Sequence, residues 1–304
     1  MRSVLARFWE HDLTWSFRRS PVTVLAAVMT LVCVGVAVLA PWLSPHNPSD
    51  LAALNLNDAF TPPAWTEAGR SAYFLGTDDQ GRDVLSTIMH GARISLGVGL
   101  ASVLFALTLG VTLGLLSGYF GGRLDAFIMR VADVQLSFPA ILIALLVDGV
   151  ARVALPSAMH DEIAIPVLIL SIGVSGWVHY ARTVRGSTLV EKNKEYVQAA
   201  RVIGRHPLAI MLRHVLPNVM GPVLVIATIH IATAIITEAT LSFLGVGVPP
   251  TRPSLGTLIR VGNDFLFSGE WWITVFPGIA LVVLVLSVNL LGDWLRDALN
   301  PKLR

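Results

Sequence analysis

Long charge-free runs separated by short polar stretches dominate the chain. About 20 apolar residues carry a helix across a bilayer core. By that measure residues 22–43, 94–119, 127–147, 163–181, 215–237 and 271–291 are six predicted spans. The third is the least clean, because Arg130 and Asp133 fall in its first two turns. The fifth carries Pro217 near its start and Pro222 inside, which predicts a kinked entry. At the other extreme lies residues 195–218, EYVQAARVIGRHPLAIMLRHVLPN, a basic segment between two apolar runs. Tyr196, Ala199, Ala200 and Ile203 fall at i, i+3, i+4 and i+7, one stripe of a short amphipathic helix. Gly204 supplies a C-cap, and Pro207 fits the first turn of a second short helix. Leu208, Met211, Leu212 and Val215 repeat the stripe. A short helix of this kind fits a partner's groove, with small Ala199 and Ala200 leaving room for a close approach.

The remaining segments are less regular. Leu5, Trp9, Leu13 and Phe17 recur at i+4 in a basic lead-in, which fits either an interfacial helix or an irregular tail. Residues 44–93 are rich in Pro, Asn and Asp and read as loop, with Asp83 placed to cap a short helix bearing Val84, Leu85, Ile88 and Met89. Asp78, Asp79 and Asp83 lack the spacing and closing Glu of a calcium loop. Gly110, Gly114 and Gly118 form a doubled small-xxx-small pattern, expected to serve close helix packing rather than substrate. Asp133, the most membrane-embedded acid, is expected to pair with Arg130 on the same helix face. His179 and His230 are isolated and read as packing or hydrogen-bonding groups. Residues 238–245 fit either a re-entrant element or a capped helix end. Trp271 and Trp272 open the last span as an interfacial belt.

Composition agrees with this pattern. Apolar residues make up 54% and charged residues 14%, and the mean hydropathy is +0.68, values of a membrane protein rather than a soluble core. The net charge of +2 matters less than its distribution. With both termini placed in the cytoplasm, the basic residues concentrate inside, from Arg2, Arg18 and Arg19 through Arg182, Arg185, Lys192, Lys194, Arg201, Arg205 and Arg213 to Arg296 and Lys302. Only Arg70, Arg82, Arg93, Arg152, Arg252 and Arg260 then lie outside. The first span is expected to be a retained anchor, since Pro41 follows the cleavage-like Val38-Leu39-Ala40 and the run is too long for a signal peptide. The single Cys33 excludes an internal disulfide.

The segment 195–218 resembles the EAA loop of ABC-importer permeases through Gln198-Ala199-Ala200, Gly204 and Leu216-Pro217; Gln198 stands where that family has Glu. Three further stretches resemble the same family in order: LGTDDQGRDVLSTIMHGARISL at 75–96, EATLSFLG at 238–245 followed by Val248-Pro249-Pro250, and NLLGDWLRD at 289–297. Together they resemble the dipeptide, oligopeptide and nickel permeases. Pro62-Pro63-Ala64-Trp65 points, within that group, to the second membrane subunit of dipeptide permeases.

The resemblance implies an all-α membrane protein of type I ABC-importer architecture, with six spans in a bacterial inner membrane. Residues 1–21 would be a cytoplasmic lead-in, 22–43 the first span, 44–93 external, 94–293 the permease core with a coupling loop at 182–217, and 294–304 a cytoplasmic tail. The ATPase-contacting residues would be Glu195, Tyr196, Gln198, Ala199, Ala200, Arg201, Ile203, Gly204, Arg205, His206 and Pro207. Implied partners are a second, homologous permease subunit, two ATP-binding subunits that hold the ATP, an external substrate-binding protein, membrane lipid and a peptide substrate, with no nucleic acid. Dipeptides are the first expected cargo, with longer peptides or nickel chelates as alternatives. The chain has no phosphate loop, no H-E-x-x-H, G-x-S-x-G or C-x-x-C, and no catalytic cluster, so no cofactor and no enzymatic role are expected. A secondary transporter would need a midplane ion site, and the spans offer no carboxylate pair for one.

Overall fold

A computed structural model describes residues 17–48, 50, 54–156 and 159–299. Most of the lead-in stripe, Leu5, Trp9 and Leu13, lies outside them. Among the described residues every extended element is helical: α1 (Pro21–Leu43), α2 (Val84–Phe120), α3 (Gly122–Leu136), α4 (Ala140–Ala154), α5 (His160–Glu191), α6 (Glu195–Val202), α7 (Pro207–Ile210), α8 (Leu216–Phe243), α9 (Leu255–Asn263) and α10 (Trp272–Leu299). Five stretches are long and apolar enough to cross a membrane unbroken: α1, α2, α5, the run Pro207–Phe243 and α10.

The expected third span, 127–147, is not one straight helix. Residues 122–154 form two helices, α3 and α4, bent by 98°. The cause is Pro139: it has no N–H to continue the ladder, and it disfavours helical backbone at Phe138 before it. Pro139 becomes the N-cap of α4, while Ser137 and Phe138 close α3 with bonds to Val134 O and Gln135 O, each 3.1 Å. The Arg130 pairing expected for Asp133 is also replaced. Asp133 pairs with Arg182 of α5, and both side chains are about half exposed. Same-helix spacing gave Arg130 the right separation, but the elbow turns this face of α3 toward α5.

α2 and α5 form the central pair. A Cβ on Gly110 would sit 2.5 Å from Trp177 O and Tyr180 Cβ; one on Gly114 would sit 2.6 Å from Ala181 O; one on Gly118 would sit 2.7 Å from Thr188 Cβ. The glycine stripe therefore lets two backbones approach, as expected from its spacing. Asp125 of α3 locks the base of this pair, taking a forked bond from Arg185 (Nη2 to Oδ2 2.7 Å) and one from Ser117. α8 packs on both, while α10 lies against α8 and α9, and α1 against α2 and α10 at the periphery. Leu25, Leu31, Val32 and Leu39 of α1 remain outward, as lipid-facing residues would.

At one end of the bundle, Asp83 caps α2 itself rather than a separate short helix, accepting from Ser86 N at 3.0 Å. Asp78 and Arg82 are buried and bonded (Nε to Oδ2 2.7 Å), and Trp272 Nε1 donates to Thr77 O at 3.0 Å. This pins the 54–83 segment over α2 and α10. Of the two readings of 238–245, the capped helix end is the one observed. α8 closes with Gly245 at φ +83°, Val246 N bonding Leu241 O and Gly245 N bonding Ser242 O. Glu238 just inside is fully buried and accepts from Ser95 Oγ and Ser242 Oγ, each at 2.7 Å.

Candidate functional site

The opposite end of the bundle carries the segment singled out by its sequence. α6 has Glu195 in its first turn and Arg201 in its last, both favourable to the helix dipole. Gly204 sits at φ +75°, where a side chain is strained, and terminates α6 with Gly204 N bonding Arg201 O (3.0 Å) and Arg205 N bonding Ala200 O (3.1 Å). His206 caps the next helix through Nδ1, which accepts from Leu208 N at 3.3 Å, and Pro207 holds the first position.

The second short helix is not separate from the membrane. α7 passes through a π turn at Met211–Val215 straight into α8. Pro217 accounts for the turn, since its missing N–H leaves the Arg213 carbonyl without its usual partner. Leu216 N bonds Met211 O, five residues back, and Asn218 Nδ2 donates to His214 O at 2.7 Å.

The inward face of α6 differs from the predicted stripe. Val197 and Ala200 are buried, in one cluster with Leu115 of α2, Tyr180 and Val184 of α5, and Val215, Val219 and Val223. Tyr196, Ala199 and Ile203 are exposed instead. The stripe's register was one residue off, because Val197 and Ala200 at i, i+3 compete equally with Tyr196 and Ala199. On α7 and the π turn, Met211 and Val215 do face inward, while Leu208 and Leu212 face out.

Polar groups then fix the loop to the bundle. Tyr196 OH donates to Glu191 and accepts from Asn218 Nδ2 at 3.0 Å, and Lys194 Nζ pairs with Glu191 at 2.8 Å. Partial burial and the Glu191 hydrogen bond push the Tyr196 phenol up to about 12. Lys192 Nζ donates to Gly118 O at 2.7 Å, capping the C-terminus of α2. Arg201 lies 5.0 Å over the Tyr119 ring. Gln198, in the position of the expected Glu, donates to Lys192 O at 3.2 Å. Glu191 and Lys192 fall within the expected loop and Asn218 at its edge, but none is among its expected contact residues; their partners are brought close only by the fold.

What remains outward is apolar: Val202 is 87% and Ile203 72% exposed, joined by Leu208 and Leu212. Glu195, Arg205, His206 and Pro207 are exposed around them. The arrangement is a short helix with its inner face in the core and its outer face uncovered.

A helical bundle with several stretches long and apolar enough to cross a membrane is the architecture of a multi-pass membrane protein. Residues 110–304 match the family described as binding-protein-dependent transport system inner membrane component, and residues 7–63 match the N-terminal TM domain of oligopeptide transport permease C. The chain belongs to this family of inner-membrane transport components. It is 40% identical over 301 residues to the dipeptide transport system permease protein DppC of Escherichia coli (strain K12), covering 99% of this chain and 94% of that one. It is 38% identical over 302 residues to the di/tripeptide transport system permease protein DppC of Pseudomonas aeruginosa (strain UCBPP-PA14), covering 99% and 93%. Among solved structures, a chain of the inward-facing MetNI methionine ABC transporter has the same fold. It superposes with a TM-score of 0.54 at 20% identity, over 71% of this chain and 97% of that one. The type I ABC-importer architecture implied by the sequence is thus the one observed.

Proposed function

We propose that this chain is one of two permease subunits of an ATP-driven importer of dipeptides and other short peptides. Relatives that carry dipeptide or di/tripeptide transport in their names align with it end to end. In this reading a second, homologous permease completes the path, two ATP-binding subunits hold the nucleotide, and an external binding protein delivers the peptide. The α6 end lies in the cytoplasm and the α9 end outside. Charge supports that orientation: Arg185, Lys192, Lys194, Arg201, Arg205 and Arg213 gather at the α6 end, whereas Arg70, Arg82, Arg93, Arg152, Arg252 and Arg260 are spread over the rest of the chain at the other.

The observation that carries the reading is α6 itself, anchored by Val197 and Ala200 and exposing Val202 and Ile203. A partner gripping its outer face would move α2, α5 and α8 together, because the inner face is packed among them. Gly204 tests this. A Cβ there meets nothing within 4 Å, so Gly204→Val strains only the turn. In liposomes holding the assembled transporter, this variant is expected to insert normally but lose peptide import and peptide-stimulated ATP hydrolysis. Import at the wild-type rate would sink the docking role. If the unaltered assembly, supplied with ATP and binding protein, accumulates no labelled dipeptide, the cargo assignment is wrong.

A further inference from the structure

Halfway along the bundle, α5 and α8 enclose with the α3–α4 elbow a cavity of about 600 Å³, open on one side. That volume is in the range of small-molecule sites. One face of α5 supplies His179, Arg182 and Thr183; one face of α8 supplies His230, Thr233 and Thr237. The α8 residues recur at i, i+3 and i+7, so they form one polar stripe along the middle of the helix. His179, Arg182 and Thr233 are exposed. Imidazole groups facing lipid tails in the middle of a span are strongly disfavoured. Something wet or polar must therefore meet this wall.

Its hydrogen-bonding state says what. Thr183, Thr233 and Thr237 each donate to the carbonyl one turn earlier, His179 O (3.0 Å), Ile229 O (3.3 Å) and Thr233 O (2.8 Å). Their oxygens remain as acceptors. His230 Nδ1 is engaged by Tyr180 OH at 3.0 Å, which leaves Nε2 over. Arg182 is held at one edge by Asp133, and among the described residues no carboxylate lines the cavity. The wall thus offers hydroxyl oxygens to N–H donors, and imidazole and guanidinium groups to a carboxylate, without a fixed uncompensated charge that would trap either. Weak, divided contacts of this kind suit passage rather than retention.

We propose that the α5–α8 stripe is this chain's half of a water-filled translocation path, and that Thr233, His230 and His179 contact a zwitterionic short peptide as it passes. The peptide part of the proposal rests on the function proposed above; the aqueous path does not. The sole cysteine, Cys33, lies on α1 and away from the cavity, so a Cys33→Ala background permits single-cysteine labelling. Thr233→Cys and His179→Cys are placed in the assembled transporter with Leu31→Cys, an outward α1 position, as the lipid-facing control. The probe is a membrane-impermeant, cationic methanethiosulfonate. The two cavity positions are expected to react about tenfold faster than the control or more, and dipeptide with ATP turnover is expected to slow them. Reaction at the control rate, with the assembly still importing, overturns the path: the wall is then sealed or faces lipid. Fast labelling without dipeptide protection keeps the path and overturns the peptide contact. Fast labelling in an assembly that imports no dipeptide at all leaves the path standing and removes the cargo reading instead.

Discussion

Glu238 offers the sharpest test of how the fold is held. Its carboxyl is fully buried near the end of α8 and takes hydrogen bonds from Ser95 of α2 and Ser242, each at 2.7 Å. The same two hydroxyl oxygens accept Leu255 N of α9 (3.3 Å) and Val248 N (3.2 Å). One side chain therefore ties α2, α8, α9 and the intervening turn. Glu238→Ala orphans two buried hydroxyl donors, about 1–3 kcal/mol each in a water-soluble protein. Between membrane helices the same bonds average about 0.6 kcal/mol and reach about 1.7, since the unfolded chain also finds partners. Each serine can also turn back to its own helix. The expected loss is then about 1–4 kcal/mol. Glu238→Gln keeps one acceptor oxygen and most of the volume, so it costs about half as much. Tryptophan-fluorescence melting of the purified chain in detergent reads both. The double variant with Ser95→Ala is expected to lose less than the sum, because the two share a bond. A Glu238→Ala protein that melts with the wild type, or a Gln variant as damaged as the Ala variant, refutes the tie.

Two further outcomes are expected. Gly114→Val has no room, with Ala181 O 2.6 Å and Val184 Cβ 2.8 Å from the added Cβ, so α2 and α5 must part at a cost of about 1–3 kcal/mol. Gly97→Ala on the same helix meets nothing within 4 Å and is expected to be neutral or slightly stabilising; equal melting of the two would discard the close-approach account. At the loop, the raised Tyr196 value means that folding favours the neutral phenol. The stability from its bond to Glu191 is full below the ordinary tyrosine value near 10 and fades as pH rises to about 12. The tyrosinate difference spectrum between wild type and Tyr196→Phe is expected to titrate near the upper figure; a midpoint near 10 would remove the latch.

Much of this was readable from one sequence, for identifiable reasons. Apolar runs mark spans because only helices satisfy the backbone in lipid. They do not mark helix ends, so α2 begins at Val84 beyond the charge at Arg93, and α5 continues to Glu191 past Arg182 and Arg185. The elbow at Pro139 follows a local rule too, but the apolar run was read as one span without regard to that proline. Gly204 and Pro207 were legible because backbone rules are local. Val197 as the anchor was not, since neighbouring stripes on an eight-residue helix differ by a single position. Pairings such as Asp133 with Arg182 and Glu238 with Ser95 join residues far apart in sequence. No local pattern carries them.

α6 and the cavity are also not independent. The cluster that buries Val197 and Ala200 includes Tyr180, and the Tyr180 hydroxyl holds His230 at the cavity wall. One turn of α5 therefore belongs to the anchor on one side and to the polar stripe on the other. Gly176 receives the His230 ring so closely that a Cβ would lie 2.2 Å from Cε1. Packing this tight does not deform gradually; it either moves as a body or breaks. A displacement of α6 that keeps its buried face intact must carry Tyr180 and the lower part of α8 with it. The wall formed by His179 and Thr233 then travels with them, its spacing and its chemistry both kept. On the function proposed above, force entering at α6 therefore moves this chain's half of the passage as one piece.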